Sequence, residues 1–189
     1  MTTTSSSSRS HTINPLGSDG FEFVEYTAPD AKGIAALKAL FVSLGFAEVA
    51  KHKHKHKQCW LYRQGDINFV VNAEPHSQAE QFASLHGPSV CGMAFRVADA
   101  GKAQQYAITK GAKPFVGKIG PMELNIPAIY GIGESTLSFV DRYGDKGSIY
   151  DVLPRLADAH GRGGRRALRD RSPDPQRPAR QHGCLVELL

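Results

Sequence analysis

Three histidines at alternate positions, His52, His54 and His56, lie in the run KHKHKHK between Lys51 and Lys57. On a strand, alternate side chains share a face, and these three imidazoles would stand about 7 Å apart. Imidazole is a good ligand for Zn, Cu or Ni. The interleaved lysines oppose a dication, however, and two rings at that spacing share one ion only if the strand bends. The run therefore reads as a charged strand end, where lysine also discourages edge-to-edge association. His76 and His86 have no carboxylate at a diagnostic spacing, and they read as cap or surface residues. Asp141, Arg142, Asp145 and Lys146 surround a glycine-containing turn and read as local ion pairs. Ser135 lacks the G-x-S-x-G context of an activated nucleophile, and the GIG of Gly131 to Gly133 is too short to cradle a phosphate. Cys59, Cys91 and Cys184 are odd in number and form no C-x-x-C pair, which reads as reduced, buried thiols. No catalytic, cofactor-binding or metal site is nominated in this chain.

The charge balance narrows the function classes further. The net charge is +5, but residues 153–189 hold eight Arg and four acids, while the remainder holds fifteen basic and fourteen acidic side chains. Residues 1–152 are thus close to neutral and carry no electrostatic footprint for nucleic acid. No apolar run approaches the ~20 residues of a membrane span. MTTTSSSSRSHT lacks the apolar centre of a secretory signal, so a cytoplasmic location without membrane association is expected.

The elements that would position any site follow from periodicity. Residues 1–13 form a Ser/Thr-rich leader, expected to be disordered. From Phe21, the stretch FEFVEYTA alternates Phe21, Phe23 and Glu25 against Glu22, Val24 and Tyr26, as a strand does. Asp30 can cap a helix carrying Ile34, Leu37, Phe41 and Leu44, with Gly45 as its stop. Phe46 to His54, Cys59 to Arg63 and Asp66 to Val71 read as three strands, the last two joined at Gln64-Gly65. A bridging helix spans Gln78 to Leu85, and His86-Gly87-Pro88 ends it. The order then repeats: a strand over Val90 to Val97, a helix capped by Asp99 and closed by Gly111, and strands at Pro114 to Val116, Glu123 to Tyr130 and Thr136 to Asp141. The expectation is an α+β domain over 14–152, made of two βαβββ modules at about 21–73 and 90–142.

Four segments carry a resemblance: LYRQGDINFVVN (Leu61 to Asn72), HGPSVCGMAFRV (His86 to Val97), GPMELNIPAIYGIG (Gly120 to Gly133) and FVDRYGDKGSIYDV (Phe139 to Val152). They resemble the N-terminal half of bacterial 4-hydroxyphenylpyruvate dioxygenases. The resemblance implies paired modules of the vicinal oxygen chelate type, in which two curved sheets close around a cup. It further implies tyrosine catabolism, in which 4-hydroxyphenylpyruvate and O2 become homogentisate and CO2. In that family Fe(II) is held by two His and one Glu of the following half, so no cofactor and no ligand carry over to residues 14–152. The small aromatic keto acid is a partner only of a full-length protein, and homo-oligomerisation through this half is implied. Hydroxymandelate synthase shares the fold and is not separated by this half alone. A standalone small-molecule or metal-binding module of the same fold is the alternative.

Composition changes abruptly at residue 153. Residues 153–189 contain eight Arg, no Lys and no aromatic residue, whereas Lys outnumbers Arg by eleven to four before them. One permitted back-translation of Asp170 to Leu189, read one base later, gives IDHLTHNVPRGNMAAWSSFY. That peptide resembles the start of the family's catalytic half, and the resemblance implies that the His of its IDH is the first iron ligand. The tail therefore reads as out of frame from near Leu153 and disordered. On this reading its Arg cluster (Arg155, Arg162, Arg165, Arg166, Arg169, Arg171) is not a nucleic-acid arm.

Overall fold

The structure is a computed structural model that describes residues 14–54, 57–116 and 126–150, apart from the side chains of 52–54 and 57. The first unit comprises β1 (Ser18–Thr27), α1 (Ala31–Ser43), β2 (Ala47–His54), β3 (Lys57–Gln64) and β4 (Ile67–Asn72). Helix α2 (Gln78–His86) bridges to β5 (Ser89–Val97), α3 (Ala100–Thr109), β6 (Ala128–Tyr130) and β7 (Thr136–Val140). All seven strands form one sheet in the order β2-β3-β4-β1-β5-β7-β6. Within each unit the first strand pairs in parallel with the last, β1 with β4 and β5 with β7. The units meet at an antiparallel β1–β5 pair running from Ser18↔Val97 to Thr27↔Ser89.

The caps expected from sequence are present. Asp30 accepts from Gly33 N at 2.6 Å and Asp99 from Lys102 N at 2.9 Å, each satisfying an orphan N–H of a first turn. Gly45 and Gly111 adopt φ +89° and +96°, the left-handed geometry that closes α1 and α3. Strand β1 starts earlier than Phe21, at Ser18. The Asn14 side chain pins that start, accepting from Ser18 N at 3.0 Å and donating to Ser18 O at 2.8 Å. Strict alternation along β1 fails. Register shifts between Phe21 and Phe23 and between Glu25 and Tyr26 mark bulges, and the consecutive residues Glu22 and Phe23 are both buried.

The second unit departs most from expectation. Instead of a strand over Pro114 to Val116 there is a single bridge, Pro114↔Ile129. Pro114 has no N–H to extend a ladder, so pairing passes to its neighbours: Phe115 N donates to Ala128 O and Tyr130 N to Lys113 O, both at 2.9 Å. Of the expected strand Glu123 to Tyr130, residues 123–125 lie outside the described residues. Strand β6 begins only after Pro127. Strand β7 stops at Val140, and the carboxylate of Asp141 accepts from Ala100 N at 3.0 Å, helping to cap α3.

Packing divides the sheet into two faces. On one, α1 covers a cluster of Ile34, Phe41, Phe46, Trp60, Tyr62 and Val71, and α3 covers Val97, Ile129 and Phe139. On the other, Phe23, Leu61, Val70, Ala94 and Val140 pack with Ile126 and Ile149 and, among the described residues, with no helix residue. Phe41 anchors the α1 side, with ring centroids of Tyr26, Phe69, Tyr62 and Phe46 at 4.9, 5.0, 5.7 and 6.1 Å. Substituting Phe41→Ala should cost about 3–5 kcal/mol of unfolding free energy, read as a fall in urea midpoint with little change in slope.

Candidate functional site

The helix-free face carries the polar groups that a site would need. Near the C-terminal end of β1, Glu25 is 7% exposed and its Oε1 accepts from Asn72 Nδ2 of β4 at 2.7 Å. The register Glu25↔Gly92↔Thr136 continues the row across β5 and β7. Gly92 is required there: a Cβ would meet Thr136 Oγ1 at 2.6 Å and Glu25 Oε2 at 2.8 Å. Burial pushes the Glu25 carboxyl above the usual range, and the Asn72 hydrogen bond only partly offsets it. The Cys91 thiol, whose Sγ lies 3.7 Å from Glu25 O, is likewise pushed well up, first by burial and then by the Glu25 charge.

A second polar group lies at the opposite end of the same face. Glu22, 4% exposed, accepts from Arg96 Nε at 2.6 Å. Arg63 Nε donates to Asn68 Oδ1 at 2.7 Å, and Asn68 in turn donates to the Glu22 carbonyl at 3.0 Å. Tyr150 OH reaches the same carbonyl at 3.4 Å. Burial and the Glu22 carboxylate push the Tyr150 phenol up.

No triad of two imidazoles and a carboxylate is present among the described side chains of this face. Its described side chains offer Glu25, Asn72 and Thr136 at one end and an ion-paired Glu22 at the other, with no imidazole. Among the described residues no three His, Cys, Asp or Glu gather as a metal site.

A cavity of about 370 Å³ opens beside α1, lined among others by Thr27, Asp30, Lys38, Trp60, Glu74 and Glu80. Lys38 Nζ sits 4.0 Å over the Trp60 ring and 3.8 Å from the Glu48 carboxylate. Its lining mixes carboxylates with one ammonium, so no single sign of charge dominates it.

Of the histidines weighed from sequence, the described His76 and His86 flank opposite ends of α2. His76 is exposed with φ +61°, and its backbone N donates to Glu80 at 2.6 Å while Glu80 N donates to Ser77 Oγ, the side-chain cap that starts α2. His86 ends α2 and lies 4.3 Å from the Phe82 ring. His52 and His54 fall on β2, their side chains outside the described residues, as is all of His56. The ion pairs expected at 141–146 do not form among the described residues. Asp141 caps α3, and Lys146 Nζ donates to Ala98 O at 3.2 Å. Cys91 is buried and free, as expected of a reduced thiol, but Cys59 is disulfide-bonded, contrary to that expectation. Cys184 lies outside the described residues. Sequence reasoning missed Arg63 and Arg96. The signal was available: Arg is scarce before residue 153, and two of the four there fall inside strands.

The paired strand-and-helix units sharing one sheet place the chain among proteins of the vicinal oxygen chelate, or glyoxalase/dioxygenase, type. It belongs to the family described as hydroxyphenylpyruvate dioxygenase, HPPD, N-terminal, whose profile matches residues 12–153. Over 146 residues it is 70% identical to hemolysin VllY of Vibrio vulnificus, a match that spans 77% of this chain and 40% of that protein. It is 55% identical over 139 residues to the 4-hydroxyphenylpyruvate dioxygenase of Pseudomonas aeruginosa, covering 74% of this chain and 38% of the enzyme. A solved xylose isomerase-like TIM barrel/4-hydroxyphenylpyruvate dioxygenase fusion protein superposes with TM-score 0.64 at 39% identity, over 76% of this chain and 22% of that one. The chain therefore spans about two-fifths or less of the length of these relatives. No helix among the described residues is long and apolar enough to cross a membrane.

Glu25 supplies a pH signature. Its folded pKa is raised, so its contribution is fully present below the unfolded value near 4.5 and is lost as pH rises towards and through the folded value. Glu25→Gln, which keeps an acceptor for Asn72, should remove that loss. Urea unfolding from pH 4 to 8 should show the variant gaining on the parent as pH rises, and a constant difference would contradict the assignment.

Proposed function

We propose that this chain is the non-catalytic N-terminal half of a dioxygenase that converts 4-hydroxyphenylpyruvate and O2 to homogentisate and CO2, and that it is inactive alone. The observation that carries the reading is the match of residues 12–153 to the family's N-terminal half, which corresponds to only 38% of the length of the Pseudomonas aeruginosa dioxygenase. Fe(II) and the aromatic keto acid belong, on this reading, to the half that follows in full-length relatives. No step of the reaction is assigned to residues of this chain. The family match ends at residue 153, where the composition change begins, and this supports reading 153–189 as a shifted frame.

Self-association through this half is part of the proposal. Its support is the exposure of Leu40, Val42 and Leu44 at 49, 61 and 56%, apolar side chains at the end of α1 that a neighbouring surface would cover.

The test compares two proteins. The 189-residue chain, supplied with Fe(II), ascorbate and 4-hydroxyphenylpyruvate, should release no homogentisate. A gene with the frame restored near codon 153 and extended into the following sequence should release it. Turnover by the 189-residue chain would overturn the reading, as would nucleotide sequence showing no dioxygenase half in the shifted frame.

A further inference from the structure

The polar end of the helix-free face carries an open cavity of about 160 Å³, lined by Glu22, Arg63, Asn68, Arg96, Tyr143 and Tyr150 together with the backbone around Gly144 and Gly147. Both guanidiniums are held in the same way. Each spends its Nε on one acceptor, Asn68 for Arg63 and Glu22 for Arg96. Each lies against a tyrosine ring, with Arg63 Cζ 5.0 Å from the Tyr150 centroid and Arg96 Cζ 5.5 Å from that of Tyr143. Among the described residues neither makes a hydrogen bond through its Nη nitrogens. The side chains are thus fixed in place while their terminal donors remain unspent. Among the described residues Arg63 has no acidic partner within salt-bridge distance, and its Nε bond goes to a neutral amide.

We infer that this cavity binds a small monocarboxylate anion between the Nη groups of Arg63 and Arg96. A planar guanidinium presents parallel N–H donors that match the two oxygens of a carboxylate. The volume admits one such group and falls below the ~300 Å³ of cavities that enclose drug-sized ligands. Charge sets the valence. Two guanidiniums and two carboxylates, the buried Glu22 and the exposed Asp66, line the cavity, and Glu22 is already paired with Arg96, so the unspent positive charge is that of Arg63, enough for a monoanion. The exposed Asp66 at the rim opposes a second negative charge, so a phosphate dianion is the poorer fit. The inference concerns binding and does not depend on the dioxygenase reading.

The experiment follows the arginine Nε–Hε and backbone amide NMR signals of the 189-residue chain during titration with acetate, propionate and inorganic phosphate at pH 8 and constant ionic strength. Saturable shifts at Arg63 and Arg96 are expected with the monocarboxylates, and weaker binding with phosphate. Arg63→Gln should weaken acetate binding about ten-fold or more. Asp66→Asn, which removes only an exposed rim charge, should strengthen it by about two- to five-fold. A purely structural role for the arginines would not produce that gain. Non-saturable shifts, or equal affinity in the parent and both variants, would overturn the inference, and tighter binding of phosphate than of acetate would overturn the assignment of valence.

Discussion

The antiparallel pairing of β1 with β5 is the contact on which the rest of the molecule depends. Each unit alone would leave its first strand as a long sheet edge with unpaired N–H and C=O groups. Joining the two edges satisfies both and creates one sheet in which β4-β1-β5-β7 occupy the centre. The helix-free face runs continuously across this join. Its apolar middle draws Phe23 from one unit and Ala94 and Val140 from the other, and both of its polar ends pair residues across the junction. Arg96 of β5 reaches Glu22 of β1, and Gly92 of β5 leaves room for the Glu25 side chain of β1.

Sequence periodicity made the first unit readable because its elements obey local rules. Asp30 is a helix cap by chemistry, Gly45 is a stop by conformation, and the Gln64-Gly65 turn joins two strands rich in apolar residues. The second unit was less legible because prolines decide its pairing. Pro114 and Pro127 lie in stretches whose composition suits strands, and one missing N–H at each shortens the ladder. The bulges of β1 were also invisible to period-two reasoning, which placed Glu22 and Phe23 on opposite faces although both are buried. Likewise, nothing in the spacing of Asp141 and Arg142 indicated that the acid would turn to the start of α3. That contact is set by tertiary geometry and spans 41 residues of chain.

The candidate sites show the same division. The sequence drew attention to histidines, of which the described His76 and His86 flank opposite ends of α2, and passed over two arginines that the fold brings to one cavity. Histidine clusters are conspicuous because the residue is rare and its chemistry is well known. Arg63 and Arg96 are ordinary residues on separate strands, 33 positions apart by their numbers. Only the sheet order, with β4 and β1 between β3 and β5, brings their side chains to one cavity.

The buried thiol of Cys91 has a consequence for how opening of the junction can be observed. It is 0% exposed, its Sγ contacts the Glu25 carbonyl across the β1–β5 pair, and its pKa is held high by burial and by the Glu25 charge. A thiol in that setting is almost wholly protonated at neutral pH and inaccessible to electrophiles, so it reacts slowly while the strands are together. Separation of β1 from β5 would expose it and return its acidity to normal at the same moment. The molecule thus carries an internal clock for the parting of its two halves, wound by the same carboxyl that makes the junction sensitive to pH.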